Sequence, residues 1–118
     1  MTHWKTTKRG WFERREGAVY GLTRRAPVRW DLRVEADLPE MGRRRLAHAV
    51  RQDMWRMLRD LRGFVPAVEV TRRAEGLRLT AGGAVDGAVP ARAAARIAEM
   101  LADPVKRAAW ARAARHRR

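Results

Sequence analysis

Between residues 28 and 37, apolar and charged side chains alternate without a break. Val28, Trp30, Leu32, Val34 and Ala36 interleave with Arg29, Asp31, Arg33, Glu35 and Asp37. A helix would wind such a pattern around all its sides, whereas a strand sorts it onto two faces. This stretch therefore has to be a strand with one buried face and one wet face. Opposite charges alternating along the wet face discourage edge-to-edge association. The rest of the chain must supply more sheet and an apolar cover for it.

The neighbouring segments offer both. Residues 18–23 read as a preceding strand and 24–27 as a turn, which makes a first hairpin. Asp37-Leu38-Pro39-Glu40 has the order of a helix start, with proline in the first turn and an acid at the positive end of the dipole. The helix is expected to run to Arg62 and stop at Gly63. Leu46, Val50, Met54 (or Asp53), Met57, Leu58 and Leu61 recur at helical spacing as its core stripe. Residues 65–72 and 77–81 form a second hairpin through residues 73–76, ended by Gly82-Gly83, with a short extended piece at 84–89. A second helix begins at Pro90, and Asp103-Pro104 caps a third.

The expected fold is α+β: two β-hairpins forming a mostly antiparallel four-stranded sheet packed on one long helix, with two further C-terminal helices. A length of 118 residues suits one domain. Residues 1–17 mix charge, threonine and glycine without periodicity and read as a flexible basic arm. Residues 18–103 form the α+β domain, and residues 104–118 a basic C-terminal helix and tail.

Charge is the unusual quantity. Lys and Arg number 27 against 13 acids, a formal net charge of +14. GC-rich codons would favour Arg over Lys, and only Lys5, Lys8 and Lys106 are lysines, but codon bias does not explain the excess of bases over acids. Nor is the excess uniform: residues 1–17 carry +3, residues 40–62 carry +4 and residues 104–118 carry +6, whereas residues 63–103 are neutral. Concentrated positive charge repels itself unless a polyanion relieves it, and nucleic acid is the commonest polyanion.

The candidate site follows from that distribution. Arg44, His48, Arg51, Trp55, Arg59 and Arg62 are spaced 4, 3, 4, 4 and 3 residues apart, one stripe of the long helix turned away from its core stripe. Guanidinium groups can bond two phosphate oxygens at once, and a tryptophan among them can stack on a base. Lys106, Arg107, Arg112, Arg115, Arg117 and Arg118 at the C-terminal end, and Lys5, Lys8 and Arg9 in the arm, extend the basic set. The expected activity is nucleic-acid binding, double-stranded DNA first, through phosphate contacts in a regulatory or architectural role. The alternative is a basic adaptor docking an acidic protein or a larger assembly, and homodimerisation is compatible with either.

Other classes find less support. With no Cys and no Ser, thiolate metal sites, disulfides and the usual nucleophiles are excluded. His3, His48 and His116 lie too far apart for metal-ligand spacing, and Gly82-Gly83-x-x-x-Gly87 lacks the Lys-Ser/Thr of a phosphate loop. No enzyme activity and no cofactor is expected. The one catalytic option, a cation-dependent nuclease, would draw on the strand carboxylates Asp31, Glu35 or Glu69. No apolar run reaches the roughly 18 residues of a membrane span, and no signal-peptide core is visible, so a cytoplasmic location is the expectation.

Overall fold

A computed structural model describes residues 4–115. The strands are β1 (Lys5–Thr6), β2 (Phe12–Glu16), β3 (Val19–Thr23), β4 (Leu32–Leu38), β5 (Val65–Arg72) and β6 (Leu77–Ala84). The helices are α1 (Arg43–Leu58), α2 (Ala93–Ala102) and α3 (Pro104–Ala113). All six strands belong to one antiparallel sheet in the order β1-β2-β3-β5-β6-β4. The α+β class holds, but the sheet has six strands where four were expected.

The two additional strands come from the segment read as a flexible arm. Residues 12–16 pair along the whole of β3, and β1 folds back on β2. The segment lacks alternation because both inward positions of β2 carry charge. Glu13 lies opposite Leu22 and Arg15 opposite Tyr20. A polar pattern hides a strand when its partner is a helix rich in arginine.

The first hairpin is also corrected. β3 and β4 are consecutive in sequence but do not pair: β3 joins β5, and β4 crosses to the far edge beside β6. Burial explains the order. β6 is buried along most of its length and β5 along half of it, which suits inner strands, whereas β4 exposes Arg33, Glu35 and Asp37 and suits an edge. β4 starts only at Leu32. Asp31 just before it is spent on the neighbouring loop, accepting hydrogen bonds from the Val85 amide (3.0 Å) and Arg29 (2.8 Å).

β6 runs through Gly82-Gly83 instead of stopping there. A Cβ on Gly82 would sit 1.9 Å from the Leu32 carbonyl oxygen, and one on Gly83 1.9 Å from that of Val65. Their φ angles of +152° and +135° are open to glycine alone at low cost. The pair is thus a place of close strand approach rather than a terminator.

The long helix is shorter at both ends than expected. Asp37 and Leu38 remain in β4, paired with Arg78 and Leu77, so the chain cannot turn helical until Gly42. At the other end, Arg59 caps α1 and the chain tightens through Leu61–Leu58 and Phe64–Leu61 backbone bonds. The core stripe holds: Leu46, Val50, Met54 and Leu58 are buried, with Ala47. Asp103 caps α3 as its sequence position predicts, its carboxylate accepting from the amides of Val105 and Lys106.

Rows across the sheet show where the core lies. One row, Arg15-Tyr20-Val70-Leu79-Ala36, and its neighbour, Glu13-Leu22-Val68-Ala81-Val34, face the helices. α1 lies over β3 and β5, α2 over β4 and β6, and α3 braces α1 and α2. The row between them, Arg14-Gly21-Glu69-Thr80-Glu35, faces the other way. That face is an ion-pair surface, with Arg14–Glu69 at 3.2 Å, Arg33–Glu35 and Arg78–Glu35 at 2.8 Å and Arg78–Asp37 at 3.0 Å. No helix among the described residues is long and apolar enough to cross a membrane.

Candidate nucleic-acid interface

Along both helix-facing rows the apolar core ends at β3. One strand further out, the layer between sheet and helix becomes charged, because Glu13 of β2 faces Arg44 of α1. The Arg44 Nε donates to Glu13 at 2.9 Å, and the Tyr20 hydroxyl donates to the same carboxylate oxygen. Burial alone would push the Glu13 carboxyl up; the hydrogen bonds from Tyr20 and Arg44, and the Arg44 charge, outweigh it and hold the carboxyl below its usual range. The Tyr20 phenol is pushed well above its ordinary value by burial and by Glu13. Glu13 is therefore an ionised anchor fastening the N-terminal hairpin to α1.

Above this anchor the β1–β2 turn and α1 diverge and leave a groove with a cavity of about 770 Å³. Five cations line it, Lys8 and Arg9 from the turn and Arg44, Arg45 and Arg51 from the helix, while Glu13 is the one acid among the described lining residues. His48 lies between Arg44 and Arg51 on α1. Its Nε2 is buried and meets no hydrogen-bond partner among the described residues. Burial, then the charges of Arg51 and Arg44, press the His48 imidazole below its ordinary value, so the ring is neutral at pH 7.

A second hollow of about 370 Å³ shares two walls, Trp11 and Arg51, with the first. Trp55, Phe64 and Pro66 supply its apolar lining, and Arg24 lines it as well. The Arg51 guanidinium lies 4.4 Å from the Trp11 ring centroid and that of Arg24 5.2 Å from it. Burial depresses the Arg51 pKa, and the charges of Arg24 and Arg9 depress it further; no acid is among the described residues lining this second hollow. The Arg51 Nε is buried and unpartnered among the described residues.

The predicted site residues divide across this geometry. Arg44, His48 and Arg51 come together in the groove with Lys8 and Arg9, and Trp55, 43% exposed, stands beside it in the second hollow. Arg59 and Arg62 are exposed past the end of α1 and line neither hollow. Lys5 is exposed in β1. In the C-terminal segment, Arg107 donates to the Leu101 carbonyl and thereby caps α2, Lys106 is half-buried, and Arg112 and Arg115 are exposed. Arg117 and Arg118 lie outside the described residues.

Trp11, Arg24, Arg45 and Phe64 belong to the site without having been predicted for it. The available signal was Trp11-Phe12, an aromatic pair too costly to leave on a mobile arm. The three carboxylates of the nuclease alternative are not gathered into one centre. Asp31 serves the Val85 amide, while Glu35 and Glu69 lie two strands apart, each paired with arginine. Among the described residues no group of three or more His, Asp or Glu side chains could hold a metal ion.

Compared with known proteins, the chain matches no protein-family model, no curated protein and no solved structure.

Proposed function

We propose that this protein binds nucleic acid, and that the groove between the N-terminal hairpin and α1 receives the phosphate chain. One observation carries the reading: five cationic side chains line one cavity whose single described acid is already committed to Tyr20 and Arg44. Cations held this close repel one another, and an anion entering between them relieves the repulsion. Guanidinium pairs match phosphate oxygens in geometry as well as in sign. A duplex lying on an open arginine face of α1 fits less well, because the hairpin ties up Arg44 through Glu13 and Arg51 through Trp11, with His48 partly buried between them.

Contact with roughly four phosphates gives a log–log salt slope of about −3 for a single strand and somewhat steeper for a duplex. Fluorescence anisotropy with labelled oligonucleotides, titrated between roughly 50 and 200 mM NaCl, measures it. The double substitution Arg9→Gln/Arg45→Gln should weaken binding about tenfold or more and flatten the slope by about one to two, since each side chain removes one phosphate contact. Absence of binding at the low-salt end, with the protein shown to be folded by circular dichroism, would sink the proposal.

A further inference from the structure

Trp55 is the one aromatic among the exposed large apolar side chains of the described residues. It stands over the second hollow with its neighbours already arranged. Trp11, Phe64 and Pro66 line the same hollow, together with Arg24 and Arg51, whose guanidinium groups lie over the Trp11 ring. Because Trp11 and Arg51 are walls of both hollows, a chain whose phosphates follow the groove passes directly by the aromatic hollow.

We infer that the aromatic hollow accepts an unpaired base, so that the preferred ligand is single-stranded nucleic acid. The inference rests on the phosphate-groove reading above and adds what lies next to the phosphates. Ring stacking tolerates any base, since each has a π-face, and it is strengthened by an adjoining guanidinium. A volume of about 370 Å³ lies at the lower end of small-ligand pockets, the right scale for one planar ring system rather than a stacked pair. A duplex can fill the hollow only by extruding a base, which costs it pairing and stacking, whereas a single strand has already left both. Arg51 is the joint of the arrangement: its guanidinium lies over the Trp11 ring, and the side chain lines both the groove and the hollow.

The test compares labelled oligo(dT) and oligo(U), each about 15 nucleotides long, with a duplex of equal length at about 50 mM NaCl. The variants are Trp55→Ala and Trp55→Phe in the full chain. Trp55 is exposed enough that its truncation leaves the core intact, and thermal melts verify this. The expected result is binding of at least one single strand about tenfold or more tighter than the duplex. Trp55→Ala should weaken that binding by roughly 5- to 150-fold, Trp55→Phe should restore most of it, and the duplex should be unaffected. Equal affinities for strand and duplex, or an unchanged single-strand affinity in Trp55→Ala, would overturn the inference and leave the phosphate groove standing. No binding of any probe by the folded protein would overturn both. The dT and U arms separate DNA from RNA, and preference for either supports the single-strand reading.

Discussion

Glu13 and His48 occupy the same charged layer and respond to pH in ways that can be separated. Glu13 is held ionised by Tyr20 and Arg44, with a folded pKa below its ordinary 4.5. Its contribution to stability is thus complete above about pH 4.5 and fades as pH falls toward the lower folded value. Glu13→Ala strands a buried hydroxyl and a guanidinium and should cost on the order of 1–3 kcal/mol in urea unfolding near pH 7. His48 has a folded pKa below the ordinary 6.5, so the native state takes up its proton less readily than the unfolded chain. Stability is then greatest above pH 6.5 and declines as pH drops through the window beneath it. His48→Gln should remove that decline, as thermal melts between about pH 5 and 8 would record. An anion in the groove stabilises the imidazolium, so oligonucleotide affinity should rise as pH falls through the same window, and in the Gln variant it should not.

Among the elements, β6 is the most sensitive to substitution. Gly83→Ala would push a methyl group into the Val65 carbonyl, and Gly82→Ala would do so at Leu32, with backbone on both sides unable to yield. Each is expected to destabilise by more than about 2 kcal/mol, read as a lower urea midpoint with an unchanged slope. How far the elements were legible in the sequence follows from the same physics. β4, α1 and the cap of α3 announced themselves because burial or capping at those positions depends on residues nearby in the chain: the alternation of residues 32–38, the Leu46–Leu58 stripe, and Asp103-Pro104. β2 did not, since its inward residues Glu13 and Arg15 are satisfied by Tyr20 and Arg44, which are distant in sequence or on another element. The arginine stripe was legible as a row of cations; that a hairpin would cover half of it depended on β2 being a strand. Strand order was equally hidden, because the pairing of β3 with β5 instead of β4 joins residues more than forty positions apart, which no local pattern reports.

On the scale of the whole molecule, charge and sheet are arranged at cross purposes that a ligand would reconcile. The open face of the sheet neutralises itself through Arg14, Arg33 and Arg78 with their carboxylates, so the net charge of +14 is expressed on the helix side and at the ends. A ligand that binds only the folded state raises its stability by about 2.7 kcal/mol at 100 times Kd. For a domain of this size that corresponds to a melting-temperature rise on the order of 10 °C. Scanning calorimetry with oligonucleotide at that excess should show this rise at low salt and lose about half of it or more in the Arg9→Gln/Arg45→Gln variant. Sodium chloride at matched ionic strength, without oligonucleotide, should produce a smaller increase through screening alone.

The interposition of β5 and β6 between β3 and β4 also fixes when in folding the groove can appear. The hairpin bearing Lys8, Arg9 and Trp11 hangs on β3, and β3 has no sheet partner on its inner side until β5, more than forty residues later, has docked. Long-range pairing of this kind is slow to close. A nascent chain that has emerged only as far as α1 would carry all the arginines of the groove and none of its shape. It would attract polyanions through charge alone, and the shape of the groove would be acquired only when the second half of the sheet is complete.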